Sequence, residues 1–148
     1  MIAAYDFIMR SDGVVDADKY PYKESENPCN EMNNEPKVTL SEYVVAPPGN
    51  ETILARVVTK IGPVSVAIHG SLDSIYSYSS GVYFDQACTR NINHAVLVVG
   101  FGTDPLFGDY WLVKNSWGTS WGDAGYIKMA RNRDNHCGIS DYIVYPKL

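Results

Sequence analysis

The sequence predicts an α+β chain in which two helices precede an antiparallel sheet, closed into a small barrel or sandwich. Three observations carry this expectation. Apolar side chains recur at helical spacing in two early segments, at Ile2, Tyr5, Ile8 and Met9 and again at Ile53, Leu54, Val57, Val58 and Ile61. After Pro63 the period changes to two, with Val64, Val66 and Ile68 alternating with Ser65, Ala67 and His69. Further short β-rich runs then follow, separated by Gly, Asp, Asn and Pro.

The first helix is expected over 2–11, ended by Gly13. From Asp16 to Pro48 the chain is polar and rich in turn residues (Tyr20-Pro21-Tyr22, Asn27-Pro28, Asn33-Asn34-Glu35-Pro36), which reads as a long surface crossover. Only Val38–Val45 within it looks like a strand. Pro47-Pro48-Gly49 breaks the chain, and Asn50 is placed to cap a second helix over 51–61. Glu51 suits the positive end of that helix and Lys60 the negative end, and Gly62-Pro63 stops it. Leu72–Ser79 predicts a helical turn capped by Ser71 and ended by Gly81. Strands are expected at 82–84, 94–101, 110–115, 125–130 and 142–145.

Composition narrows the function classes. Of 148 residues, 45% are hydrophobic and 20% charged, which suits a packed core and excludes a disordered or fibrous chain. A net charge of −5 offers no basic field for nucleic acid. No apolar run approaches the ~20 residues a membrane span needs. The opening Met-Ile-Ala-Ala-Tyr-Asp lacks the basic and apolar regions of a secretory leader, so the reading is a cytosolic protein or one whose true N-terminus lies elsewhere. Three cysteines are an odd number, and pairing two leaves one over.

The chemistry concentrates in two runs, His94–Phe101 and Tyr110–Asn115, joined by a link containing Gly102, Asp104-Pro105 and Gly108. An antiparallel hairpin centred on Asp104-Pro105 would set His94 opposite Asn115, with Cβ atoms about 4.5–5.5 Å apart. An Asn oxygen can take the proton of one ring nitrogen and leave the other to face a nucleophile. A neutral orienter suits an imidazolium already balanced by a thiolate, so the pair points to Cys rather than Ser as nucleophile. A His and an Asn capping a sheet edge account for the same pattern.

The flanking residues decide between these. Asn115-Ser116-Trp117-Gly118, Trp121-Gly122 and Gly125-Tyr126, with Asn93-His94-Ala95-Val96 and Gly62-Pro63-Val64-Ser65-Val66, resemble the papain-like cysteine peptidases of cathepsin L type. Cys137-Gly138-Ile139, Tyr145-Pro146 and Tyr20-Pro21-Tyr22 extend the resemblance over nearly the whole chain. It implies residues 1–36 as a remnant of a helical left domain and crossover, and 37–148 as a β-barrel right domain. It also implies His94 as catalytic base and Asn115 as its orienter, with Trp117 lying over their hydrogen bond. Core packing accounts for Trp121. A disulfide between Cys88 and Cys137 is implied, and closing a loop of about 50 residues is worth roughly 4 kcal/mol in the chain-entropy model. Cys29 would then be a half-cystine whose partner lies outside the chain.

The family's nucleophile motif, C-G-x-C-W at the start of a helix, does not occur here. Its usual spacing puts it on the order of 35 residues before Met1. The chain alone is therefore expected to be inactive, as the His/Asn portion of a cysteine endopeptidase. Two alternatives stand beside this. One is a catalytically dead paralogue that binds peptides or inhibitors. The other is a metal-binding domain using Cys88, His94, His136 and Cys137, whose uneven spacing argues against zinc.

No cofactor and no metal are expected. The expected partners are peptide or protein substrates, the missing N-terminal part and proteinaceous cysteine-protease inhibitors, with no nucleic acid and no membrane. The resemblance implies a lysosomal or secreted location, with which a pI near 5.0 is compatible. It also implies a substrate pocket lined by Met1, Ala67, Ile92 and Tyr142, shallow and apolar, suited to Leu or Val and without charge for Arg. Asn50-Glu51-Thr52 is a glycosylation sequon. His69 receives no function, His136 is expected to cover the disulfide, and Lys128, Arg131 and Arg133 read as a solvated strand edge.

Overall fold

The computed structural model describes residues 1–147 except 22, 24, 30–34 and 36. Tyr22, Asn33, Asn34 and Pro36 of the expected turns lie outside the described residues. The chain falls into two compact units, Met1–Val44 with Pro146–Leu148, and Val45–Tyr145.

In the smaller unit α1 (Ile2–Arg10) forms where the periodicity predicts it. Ile2, Tyr5 and Ile8 are half-buried, whereas Phe7 and Met9 are exposed. Gly13 follows at φ 103°, and a Cβ there would lie 2.6 Å from the Val38 carbonyl oxygen, so the position needs glycine on both counts. This close approach lets β1 (Val14–Val15) pair antiparallel with β2 (Lys37–Val38). The expected strand Val38–Val45 is therefore divided. Its first residue belongs to β2, and β3 (Glu42–Ala46) begins only after Ser41 has donated its N–H to the Lys147 carbonyl at 2.8 Å.

In the larger unit α2 (Glu51–Lys60) carries the predicted cap, with Asn50 Oδ1 accepting the Ile53 N–H at 3.0 Å. Leu54 and Val57 are buried and Ile53 and Val58 pack against the core, but Ile61 is 59% exposed. The helix ends at Lys60 and Gly62 turns at φ 131°, which rotates residue 61 off the stripe. Next come β4 (Val64–Ile68), α3 (Asp73–Tyr76), β5 (Val82–Tyr83), β6 (His94–Asp104), β7 (Gly108–Lys114), β8 (Tyr126–Ala130), a single 3-10 turn at His136–Gly138, and β9 (Ile143–Lys147). The cap of α3 is Leu72 rather than Ser71, whose hydroxyl instead takes a hydrogen bond from Asn93 Nδ2 at 2.9 Å.

Strand order is β3-β9-β4-β6-β7-β8-β5, and from β9 onward every pair is antiparallel except β5–β8, which is parallel. The expected barrel is not closed. Its last strand, β5, has two residues and only β8 as partner among the described residues. One face supplies the core: Val64, Val66 and Ile68 of β4 meet Val96 and Val98 of β6, Trp111 and Val113 of β7, and Ile127 and Met129 of β8, beneath Leu54 and Val57. Alternation of buried and half-exposed residues along β4 is the period-two pattern read in the sequence.

Arg131 departs from the expected solvated edge. Its guanidinium lies over the rings of Phe101 at 4.7 Å and Trp111 at 5.4 Å and pairs with Asp109 at 3.4 Å. Its side chain is only 17% exposed.

Candidate active site

β6 starts at His94, opposite Ile68 of β4, and Asn115 follows the last residue of β7. The hairpin between them turns over residues 105–107, since Asp104 pairs with Gly108, and not over Asp104-Pro105. A bulge between Val98 and Gly100 shifts the register again. Beyond it Leu97 pairs with Lys114, a register that continued outward would face His94 with Trp117. The expected register, with His94 opposite Asn115, is therefore not the one formed, because loop length and bulge are not encoded in the strand pattern. The contact it aimed at nevertheless exists: His94 Nε2 lies 2.9 Å from Asn115 Oδ1.

Hydrogen-bond logic sets the protonation of this pair. Asn115 Oδ1 also accepts the Ser116 backbone N–H at 2.8 Å, which identifies the atom as oxygen. An oxygen only accepts, so His94 Nε2 carries the proton and donates. Nδ1 is left as the basic nitrogen of neutral His94.

The loop after β4 braces the histidine. Asn93 Oδ1 accepts the Gly70 N–H at 2.9 Å while its Nδ2 donates to Ser71 Oγ. Gly70 packs so closely that a Cβ built there would lie 2.5 Å from His94 Cβ.

Trp117 stacks on the His94 ring, with centroids 4.9 Å apart and planes at 28°. Trp121 meets Trp117 edge-on at 5.0 Å and donates from Nε1 to the carbonyls of Ile75 and Tyr76. It is thus a buttress as well as core packing. Tyr76 stacks nearly parallel on Trp117 at 4.9 Å and is 56% exposed. The sequence reading missed it, because nothing in Ser74-Ile75-Tyr76 sets that tyrosine apart from a surface residue.

Cys88 and Cys137 form a disulfide, with Cα atoms 5.1 Å apart, and Cys29 is free and exposed. The bonded sulfurs hold no thiolate for a metal, and His94 is not part of the group they form with His136. His136 is buried against the disulfide, its Nδ1 3.4 Å from Cys137 Sγ, and Phe84 stacks on it at 4.7 Å. Burial pushes the His136 pKa below its ordinary value, opposed by its bond to the Asp85 carbonyl.

Of the expected pocket residues, Ala67, Ile92 and Tyr142 are half-buried in the larger unit. Ala67 donates its N–H to the Tyr142 carbonyl at 3.3 Å, and Ile92 Cγ2 approaches Gly138. Met1 is the cap of α1 in the smaller unit. Asp141, next to Tyr142, is held by the Arg90 guanidinium and accepts from Asn135 Nδ2 at 2.8 Å. Arg90 lowers the Asp141 pKa below the usual carboxylate value.

An imidazole hydrogen-bonded to a carboxamide and stacked on an indole is an arrangement that can orient a general base. A family model described as papain family cysteine protease matches residues 1–147, and the chain belongs to that family. Cathepsin S of Mus musculus is 48% identical over 149 residues, covering 100% of this chain and 43% of that protein. A cathepsin L-like peptidase of Aedes aegypti is 45% identical, covering 97% and 42%. Among solved structures, the digestive procathepsin L2 from Tenebrio molitor larval midgut superposes with a TM-score of 0.88 at 42% identity, over 98% of this chain and 46% of that one. The chain thus spans less than half the length of the curated relatives it matches.

Proposed function

We propose that this chain is the His/Asn-bearing part of a papain-type cysteine endopeptidase whose nucleophilic thiol lies outside these 148 residues. The observation that carries the reading is the Asn115 oxygen, which holds His94 Nε2–H and leaves Nδ1 to serve the thiol. Cys88 and Cys137 are bonded to each other and so hold no thiolate, and exposed Cys29 lies in Asn27-Pro28-Cys29-Asn30, which is not the C-G-x-C-W motif.

The mechanism follows from that tautomer. Nδ1 takes the proton of the thiol, giving a thiolate–imidazolium pair. The thiolate attacks the peptide carbonyl, and Nδ1–H passes its proton to the leaving amine. Neutral Nδ1 then takes a proton from water as it releases the acyl-enzyme. Throughout, Asn115 keeps Nε2–H in place and Trp117 keeps water from that bond.

Substrates are peptides and proteins, and inhibitory proteins that mimic them are the expected regulators. In the larger unit, Ala67, Ile92 and Tyr142 are assigned to a shallow apolar site for Leu or Val. Neutralisation of Asp141 by Arg90 supports the absence of a free charge beside Tyr142. The Cys88–Cys137 disulfide supports an oxidising, lysosomal or secreted location.

Alkylation of the complete native protein with a thiol-directed electrophile tests the reading. Peptide mapping should find the activity-linked label on a cysteine other than Cys29, Cys88 and Cys137. A complete protein with no such cysteine and no hydrolysis would instead be the dead, peptide-binding paralogue.

A further inference from the structure

Asn50-Glu51-Thr52 is the only Asn-x-Ser/Thr triplet in the chain. Such a triplet is the acceptor signal for N-linked sugar in secreted proteins. The same asparagine caps α2, and the two roles use different atoms. The cap engages Oδ1 alone, which takes the Ile53 N–H at 3.0 Å. Nδ2 donates to no protein group among the described residues, and Asn50 and Thr52 are both exposed. Glu51, between them, is turned inward: its carboxylate takes hydrogen bonds from Trp111 Nε1 and the Asn132 and Asn135 amides. The Gly49 N–H donates to the Ser140 carbonyl at 2.8 Å and fixes the turn that presents Asn50.

We propose that Asn50 carries an N-linked glycan on Nδ2 while Oδ1 continues to cap α2. In forming it, Nδ2 loses one proton and bonds the anomeric carbon of an oligosaccharide, whose lipid-linked diphosphate leaves. The proposal rests on the secretory part of the functional reading, and the Cys88–Cys137 disulfide reports on that part separately.

The test uses the complete protein made from its full gene through a eukaryotic secretory route. Denatured protein is treated with peptide N-glycosidase and mapped by mass spectrometry. The expected result is a single mobility step, with Asp found at position 50 after release. Thr52→Ala, which leaves the cap intact, and Asn50→Asp, which preserves a capping oxygen, should each lose the step completely. Unmodified Asn50 overturns the proposal. If the disulfide has formed, the failure belongs to Asn50 alone; if Cys88 and Cys137 are reduced, the secretory reading fails with it.

Discussion

Glu51 and Trp111, sixty residues apart in the chain, are joined by a 2.8 Å hydrogen bond from the indole Nε1 to the carboxylate. The same carboxylate receives the backbone N–H of Asn132 at 2.9 Å and of Asn135 at 3.1 Å. Helix α2, strand β7 and the segment leading to the disulfide therefore meet on one side chain. That segment needs the support, since Asn132, Asp134, Asn135 and Cys137 all adopt positive φ.

Glu51→Ala should be strongly destabilising. Trp111 and Asn135 are buried, and each donor orphaned there costs about 1–3 kcal/mol, whereas water can reach exposed Asn132, so a loss of about 3 kcal/mol is expected from denaturant midpoints of the complete protein. Glu51→Gln, which keeps one acceptor, should lose clearly less. A loss below about 1 kcal/mol for alanine would show that water replaces the carboxylate freely.

Arg131→Ala should cost about 1–2 kcal/mol through its lost contacts with Phe101 and Trp111. Lysine should restore only part of this, because it lacks the planar group that lies against the rings. Equal stability of the lysine variant and the parent would mean that charge alone matters at this position.

Stability should also depend on pH through His136. Above its ordinary pKa of 6.5 the imidazole is neutral in both states. Below 6.5 the unfolded chain takes the proton first, because burial depresses the folded value, so stability falls as the pH falls through that window. Asp141, depressed by Arg90, adds a second loss below its ordinary 3.8. Denaturant midpoints measured from about pH 7.5 down to about pH 4.5 should fall for the parent and flatten for His136→Gln. An unchanged slope in the variant would remove His136 as the cause.

Trp117→Ala should lower kcat/KM of the complete enzyme about tenfold, the equivalent of the roughly 1.4 kcal/mol at stake when a shielded hydrogen bond is opened to water. Trp117→Phe should retain most of the activity. If alanine and phenylalanine behaved alike, shielding of His94 would not be what Trp117 does.

Local features of the fold were legible in the sequence because they rest on neighbouring residues. The Asn50 cap, the α2 stripe through Val58 and the alternation of β4 all need only a few consecutive side chains. Register was not legible. The turn over residues 105–107 and the bulge after Val98 depend on pairing across the hairpin, and they moved every opposed pair. The flanking motif points to His94 and Asn115, and their contact forms without the register that the hairpin pattern suggests. Glu51, Arg131 and Tyr76 give no local sign of their partners, which come from β6, β7 and the segments after β7 and β8.

The account turns on His94, and kcat/KM of the complete enzyme carrying His94→Ala tests it most directly. Loss of the general acid–base should lower peptide hydrolysis about 10²–10⁴-fold with the Cys88–Cys137 disulfide and thermal stability unchanged. Hydrolysis within about twofold of the parent would contradict the assignment of His94 as the base.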